Sequence, residues 1–145
     1  MRVLCQIPSG LTAGCPHSGP SIHIAGGFAF APLTDTSGEL LRRLIDDNLV
    51  SCFLCCREAV TAMRRGKAGG RIVNVAALQA LEPRNGANLS AATAAKAGVA
   101  ALSAALGEEL AREGILVNAP PSWVPPPIAA PCPRPILMPG RRWRR

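Results

Sequence analysis

Short apolar runs occur three times in the middle of the chain. They cover residues 22–27, 71–76 and 115–118, and glycines follow or precede each of them closely. Apolar runs of this length with turn residues at their ends are typical of strands that are buried on both faces. The three runs therefore predict three buried strands.

Two longer stretches between these runs repeat apolar residues at helical spacing. The first follows a polar start at residues 36–39, which is typical of a helix cap, and it ends at residues 64–66. The second covers residues 90–112, is rich in alanine and ends before Gly114. We therefore expect two long helices, and the short alanine side chains let the second one approach a neighbour closely.

The alternation of strand, helix, strand, helix and strand predicts an α/β fold with an open parallel sheet. Ligands of such sheets bind beyond the carboxyl ends of the strands. The candidate functional positions are therefore residues 25–27, residues 76–77 and the segment that follows Asn118.

Composition divides the chain into three parts. Its 145 residues suit about one domain, and an apolar content of 48% excludes a wholly disordered chain. The net charge of +7 comes mostly from residues 120–145, because residues 22–119 hold ten basic and nine acidic side chains. Nine of the 14 prolines also lie in residues 120–145. We therefore predict an irregular segment over residues 1–21, an α/β unit over residues 22–119 and an extended or disordered Pro/Arg-rich tail over residues 120–145.

Membrane and nucleic-acid partners are not expected. No apolar run approaches the ~20 residues that span a bilayer, and residues 1–21 lack the pattern of a signal peptide. The chain is therefore expected to be cytoplasmic. Residues 141–145 form one basic cluster around Trp143, which could bind phosphates, but a flexible charged terminus is the favoured interpretation.

Three cysteines fall on the first predicted helix. Cys52, Cys55 and Cys56 lie at helical spacing within its apolar stripe, and we interpret them as small buried side chains. The other three cysteines show no paired spacing, so no metal site is predicted. His17 and His23 are isolated in the sequence, and no ligand role is expected for either.

Five motifs occur in a fixed order along residues 22–119. They are Ile-Ala-Gly at residues 24–26, Asn48 within the first helix, Gly-Arg-Ile-Val-Asn-Val at residues 70–75, the segment around Lys96, and Gly-Ile-Leu-Val-Asn-Ala at residues 114–119. In this order they resemble motifs of the short-chain dehydrogenase/reductase family, from its fourth strand to its sixth. The resemblance implies a partial Rossmann-like domain and an NAD(P)-dependent oxidoreductase acting on carbonyl or hydroxyl substrates.

The family's catalytic residues are only partly matched. Lys96 and Asn48 stand where the resemblance places the catalytic lysine and the helix asparagine. Ala92 stands four residues before Lys96, where the family has its tyrosine, and Ala76 or Ala77 stands at the serine position. A methyl group neither donates a proton nor polarises a carbonyl. The chain is therefore expected to be inactive, and Lys96 could instead be a solvated lysine and Asn48 a residue that bonds neighbouring backbone.

NAD or NADP is the cofactor that the resemblance implies, with weak contacts expected from Ala25, Gly26 and Lys96. Residues 1–21 contain no strand followed by the family's glycine-rich turn, so we expect a truncated chain in which cofactor binding is doubtful. The alternative is a non-catalytic, dimerising remnant of such a reductase, with a homo-oligomer formed through the two long helices.

Two further expectations concern the ends of the unit at residues 22–119. The three strands should be parallel and adjacent in the family's order, which leaves residues 22–24 as an open edge that favours self-association. The abrupt change of composition after Ala119 leads us to expect a tail that is translated out of frame, because GC-rich codons read in a wrong frame yield proline, arginine, glycine and tryptophan. The nucleotide sequence tests this: the hypothesis fails if no other frame reads like a reductase.

Overall fold

A computed structural model describes residues 20–122 of the chain, apart from residues 68, 83 and 85. The predictions for residues 1–19 and 123–145, including the basic cluster around Trp143, lie outside the described residues. The regular elements are supplemented by two 3-10 turns, at Leu33–Asp35 and Ala111–Glu113, and by a π-helical stretch at Asp46–Val50. In chain order these elements are β1 (Ser21–His23), α1 (Gly38–Ile45), α2 (Ser51–Gly66), β2 (Gly70–Asn74), β3 (Ala76–Ala77), α3 (Leu78–Leu81), α4 (Ser90–Leu110), β4 (Ile115–Asn118) and β5 (Pro121–Ser122).

The main sheet has three parallel strands in the order β1-β2-β4. The pairing places Ile22 opposite Val73, and Ile72 opposite Val117. The predicted α/β class and the adjacent parallel strands, with the run at residues 71–76 in the middle, are confirmed. The carboxyl ends of β1 and β2 lie side by side, which is where the candidate positions were expected.

The prediction that all three strands are buried on both faces is wrong. Side chains of α2 and α4 form one core cluster with Ile72 and Ile115, so both long helices pack on the same face of the sheet. The opposite face carries Ile22, which is 57% exposed, and Leu116, which is 48% exposed. Within residues 20–122 no helix covers that face, and the fully buried side chains of the main sheet are Ile72 and Asn74 of β2 and Ile115 of β4, on the face that the helices cover.

The first predicted helix is present, but it is not uniform. The side chain of Ser37 caps its start by accepting the amide hydrogen of Leu40 at 3.1 Å. The α-helical hydrogen-bond pattern is interrupted at Asp46–Val50, where one π-helical turn joins α1 to α2. Lys67 then ends α2 in the left-handed conformation, with φ at 54°. The site described below is built around the π-helical turn.

A second, two-stranded sheet pairs β3 with β5 in parallel. The hydroxyl of Ser122 donates to the carbonyl of Ala76 at 2.8 Å and adds a side-chain bond to this pair. Pro121 is tolerated because it is the first residue of its strand, where no ladder amide is needed. The sequence predicted neither this pair nor the short helix α3.

None of the helices among residues 20–122 is both long and apolar enough to span a membrane.

Candidate active site

A cavity of about 200 Å³ opens at the carboxyl ends of β1 and β2. Its walls come from the loop after β1, the π-helical turn, the segment after β2, one face of α4 and β5. The lining residues are Ile24, Gly26, Gly27, Phe28, Asn48, Val75, Ala77, Gln79, Leu89, Ala92, Thr93, Lys96 and Ser122. Of the residues proposed from the sequence, the cavity brings together Gly26, Asn48, Ala77, Ala92 and Lys96.

Lys96 extends from α4 across the end of the central strand. Its ammonium group donates a hydrogen bond of 2.8 Å to the carbonyl oxygen of Val75. Burial lowers the pKa of Lys96 below its ordinary value, and a smaller interaction with Cys52 opposes this shift. The lysine side chain is therefore held in place by this hydrogen bond and is not freely solvated.

Asn48 lies on the π-helical turn and is almost completely buried, with 1% of its surface exposed. Its amide nitrogen donates to the carbonyl oxygens of Leu44 and Gly27, both at 2.8 Å. Its amide oxygen accepts from the backbone nitrogen of Gly27 at 3.3 Å. The side chain thus bonds backbone on both sides, which fastens the loop after β1 to the helix.

Gly26 occupies a position without space for a side chain. A Cβ atom built there would clash with the amide oxygen of Asn48 and would lie 3.3 Å from the Lys96 nitrogen. The backbone of the loop can therefore approach both side chains closely only because residue 26 is glycine. Ala25, by contrast, is exposed and does not line the cavity.

The positions expected for a proton donor and a carbonyl-polarising hydroxyl carry methyl groups. Ala92 is 7% exposed and lies one helical turn before Lys96 in the cavity wall. Ala77 also lines the cavity, whereas Ala76 is fully buried and donates its amide to the carbonyl of Pro120. Ala77 is therefore the member of the predicted pair that faces this space.

Three polar side chains of the cavity wall were not predicted from the sequence. Gln79 and Ser122 belong to the short elements α3 and β5, which the sequence pattern did not reveal. The hydroxyl oxygen of Thr93 is buried, and no group among the described residues hydrogen-bonds it. Because Thr93 directly follows Ala92 in the sequence, it could have been proposed as a site residue. A single threonine in an alanine-rich helix gives no functional signal, however.

In the fold, His23 contacts polar side chains from distant parts of the sequence. Its Nδ1 atom lies 2.8 Å from Asn74 Oδ1 and 3.5 Å from Cys56 Sγ. Cys56 in turn lies 3.4 Å from Asn74 Oδ1, and Cys52 is on the same face of α2 one turn earlier. The pairing of β1 with β2 brings His23 to Asn74, and the packing of α2 on the sheet brings Cys56 to both of them.

The thiols of this cluster influence each other. The hydrogen bond with Cys52 is the main cause of a lowered pKa at Cys56; burial opposes this shift, and the bond with His23 adds to it. The same interaction and burial raise the pKa of Cys52. Burial opposes the charged form of His23, but bonds to Cys56 and Asn74 raise its pKa on balance. Cys52 and Cys56 are buried as predicted, while Cys55 is only partly buried.

Residues 22–131 match the model of the family described as short chain dehydrogenase. The matched segment includes the whole described α/β unit and continues into the proline-rich segment. A 2-dehydro-3-deoxy-L-rhamnonate dehydrogenase (NAD(+)) of Sphingomonas sp. (strain SKA58) is 40% identical over 63% of this chain and 35% of its own length. The uncharacterized oxidoreductase YgfF of Escherichia coli (strain K12) is 33% identical over 78% of this chain and 48% of its own length.

Solved structures give the same picture of the fold. A 4-hydroxyisoleucine dehydrogenase complexed with NADH and succinate superposes with a TM-score of 0.68 at 28% identity, over 72% of this chain and 48% of that one. The acetoin dehydrogenase of Enterobacter cloacae gives a TM-score of 0.66 at 32% identity, over 70% of this chain and 39% of that one. The chain thus spans between about a third and a half of the length of these relatives.

Proposed function

The chain belongs to the short-chain dehydrogenase family, and we propose that it keeps part of a nicotinamide-dependent oxidoreductase site without the groups that transfer protons. One observation carries this proposal: Lys96 and Asn48 share a single cavity with Ala92 and Ala77. The cavity retains the cationic and amide groups of the proposed site, while methyl groups occupy the positions proposed for the acid and for the hydroxyl that polarises a carbonyl.

Proton transfer is the step that this cavity lacks. A general acid must lie within hydrogen-bond reach of the oxygen that it protonates, and such a group contributes about 10²–10⁴-fold to the rate. Ala92 leaves no ionisable atom one turn before Lys96. A second hydrogen-bond donor is absent at Ala77, so the partial negative charge that develops on a carbonyl oxygen is not stabilised there.

The cofactor proposed from the family is NAD or NADP, which supplies or accepts a hydride when bound. Two features of the cavity fit the ribose that carries the nicotinamide ring of this cofactor. The Lys96 ammonium lies at the cavity wall as a hydrogen-bond donor, and Gly26 leaves the adjoining space free of a side chain. We assign Lys96 and the backbone at Gly26 to hold the ribose, with Asn48 positioning that backbone through its bonds to Gly27.

The test is a cofactor-oxidation assay on the purified full chain. NADH and NADPH are offered with a panel of aldehydes and ketones, and Lys96→Ala serves as the matched control. We expect no substrate-dependent oxidation above the rate of this control. Sustained turnover by the parent chain that Lys96→Ala abolishes would contradict the proposal, because the cavity would then be transferring the proton through Lys96 or through a group that Lys96 holds.

A second candidate function is self-association through the long helices, as a non-catalytic partner. The supporting observation is an apolar strip on the outer side of the first long helix, where Val50, Phe53 and Leu54 are each at least 41% exposed. A second cavity of about 190 Å³ lies between α2 and α4, with Phe53 and Leu106 among its lining residues. Phe53→Glu, which places a charge in this strip, should weaken the association.

A further inference from the structure

A cluster of metal-ligand side chains lies outside the proposed reductase site. The Nδ1 or Nε2 atom of His23 and the Sγ atoms of Cys52 and Cys56 all lie within 4.8 Å of one another. Both cysteines are buried and the histidine is half-buried. This combination of two thiols and one imidazole is a donor set that proteins use for zinc.

We propose that His23, Cys52 and Cys56 bind one zinc-class divalent cation, with the side-chain oxygen of Asn74 as the fourth ligand. The site would connect β1 and β2 with the first turns of α2. Its role would be structural, since all four coordination positions are occupied by protein atoms.

Two of the three distances among His23, Cys56 and Asn74 are close to those of a tetrahedral site, and Cys52 Sγ lies within 4.8 Å of the ligand atoms of His23 and Cys56. Zn–N bonds of about 2.0–2.1 Å and Zn–S bonds of about 2.3 Å separate the nitrogen and sulfur ligands by about 3.5 Å at the tetrahedral angle. Nδ1 of His23 and Sγ of Cys56 are 3.5 Å apart. Sγ of Cys56 and Oδ1 of Asn74 are 3.4 Å apart, near the expected ~3.6 Å. The shorter separation of His23 and Asn74, 2.8 Å, would open by about half an ångström on metal binding.

Neighbouring hydroxyl groups orient two of the ligands. Ser103 donates its only hydrogen to the carbonyl of Val99 at 2.7 Å, so it can only accept from the amide of Asn74, at 2.9 Å. The nitrogen of that amide is therefore directed to Ser103, and the oxygen is directed to the cluster. On the other ring side, Ser21 Oγ lies 2.8 Å from Nε2 of His23 and can accept a hydrogen from it. Nδ1 shares a proton with Asn74 Oδ1 when no metal is bound, so binding through Nδ1 requires the tautomer of neutral His23 that carries its proton on Nε2.

Charge and burial favour a divalent cation. Binding releases one proton from each of the two thiols to the solvent, and the resulting thiolates neutralise the two positive charges of the ion. The buried site therefore carries no net charge, which avoids the cost of an unpaired ion in a poorly solvated position. Cys56 also lines the second cavity, which gives the ion a route from solvent.

The site would stabilise the weakest part of the sheet. β1 has three residues and, within residues 20–122, pairs with β2 alone, so its attachment there depends on few backbone bonds. A metal bound by His23 ties this edge strand to α2, and stability rises with the metal concentration because only the folded chain presents all four ligands.

The experiment uses the full chain in a background where Cys5, Cys15 and Cys132 are replaced by serine, so that thiols outside the described residues do not contribute. Cobalt(II) is titrated into the chelator-treated protein and followed by absorption. We expect one cobalt ion per chain, with the visible bands of tetrahedral coordination and a thiolate charge-transfer band, and displacement by zinc. Cys56→Ser and His23→Gln should each weaken binding at least about tenfold.

Cys55→Ser is the matched control, because it removes a neighbouring thiol that is not part of the cluster, and it should leave the spectrum unchanged. X-ray absorption of the zinc form of the background chain provides a readout that needs no further substitution, and two sulfur ligands with two nitrogen or oxygen ligands are expected. A missing tetrahedral spectrum, a spectrum that survives Cys56→Ser and His23→Gln in folded protein, or four sulfur ligands would overturn the proposal.

Discussion

At the scale of single residues, the proposed reductase site depends on close packing around one glycine. Gly26 lies against the amide of Asn48 and the ammonium of Lys96, and Asn48 holds both backbone groups of Gly27. These groups form one unit, because displacing any of them disturbs the hydrogen bonds of the others. The size of residue 26 therefore controls the whole wall of the cavity.

Gly26→Ala should lower the free energy of unfolding by about 1–3 kcal/mol, the usual cost of forcing an extra carbon into packed surroundings. The new Cβ would displace the Asn48 amide and break its bonds to Gly27. Gly107→Ala is the matched control, since a Cβ there would meet only the Val117 carbonyl at 3.8 Å. Residue 107 lies within α4, and alanine forms helices better than glycine. Gly107→Ala should therefore not lower the free energy of unfolding. Chemical denaturation measures both variants, and equal stabilities would contradict this account of Gly26.

Sequence reasoning located Lys96 and Asn48 because each lies within a motif that can be read locally. It did not locate the contact between His23 and Cys56, which lie 33 positions apart. That contact depends on the register of β1 against β2 and on which face of α2 points inward. The register is not encoded in the spacing of these residues, whereas the apolar stripe of the first helix already predicted that Cys56 points inward.

At the scale of elements, the two long helices were predictable and the irregular pieces between them were not. Apolar spacing predicts one helix where α1, the π-helical turn and α2 lie, and a second helix at α4, but it does not reveal the turn itself, which shifts the helical phase by one residue. The pairing of β3 with β5 was also missed, because two-residue strands containing alanine and proline carry no strand pattern. These irregular pieces contribute Asn48, Gln79 and Ser122 to the cavity.

The end of α2 is joined to the turn before β4 by one ion pair. Arg64 donates to both carboxylate oxygens of Glu113, at 2.6 and 2.7 Å, and this bond lowers the Glu113 pKa below its ordinary value. Because folding lowers the pKa of this carboxyl, the ion pair stabilises the fold at pH values above the ordinary pKa of a glutamate. This stabilisation is lost as the pH falls through the folded-state pKa.

Glu113→Gln should therefore cause a small decrease in Tm at neutral pH and low salt, since both partners are exposed. The difference from the parent should disappear in acid and in high salt. Glu108→Gln removes the same charge from the neighbouring helix end and should have no comparable effect. Thermal unfolding at several pH values measures this, and a difference that persists in acid would show that the ion pair is not its cause.

At the scale of the whole molecule, the described residues form one half-covered sheet. Both long helices lie on one face, and the other face exposes Ile22 and Leu116. The chain also exposes the apolar strip at Val50, Phe53 and Leu54. Two surfaces are therefore available for association with another copy, and we propose that the helical one is used.

Sedimentation at several concentrations should show self-association of the full chain. Phe53→Glu should weaken it by placing a charge in the helical strip. Leu81→Glu is the control, because Leu81 is 55% exposed but lies on α3. A monomer at every concentration would contradict self-association altogether. Association that survives Phe53→Glu but not Ile22→Glu would assign it to the sheet edge.

The central claim is that Ala92 occupies the place of a proton donor beside the Lys96 ammonium. The chain contains no tyrosine, so Ala92→Tyr introduces a single phenol whose ionisation can be followed by ultraviolet absorption without background. Its pKa should be lower than in the double variant Ala92→Tyr/Lys96→Met by about one unit or more, because a cation nearby favours the phenolate. Phe53→Tyr, on the exposed strip, should titrate identically with and without Lys96→Met. Equal phenol pKa values in Ala92→Tyr and in the double variant would contradict the claim.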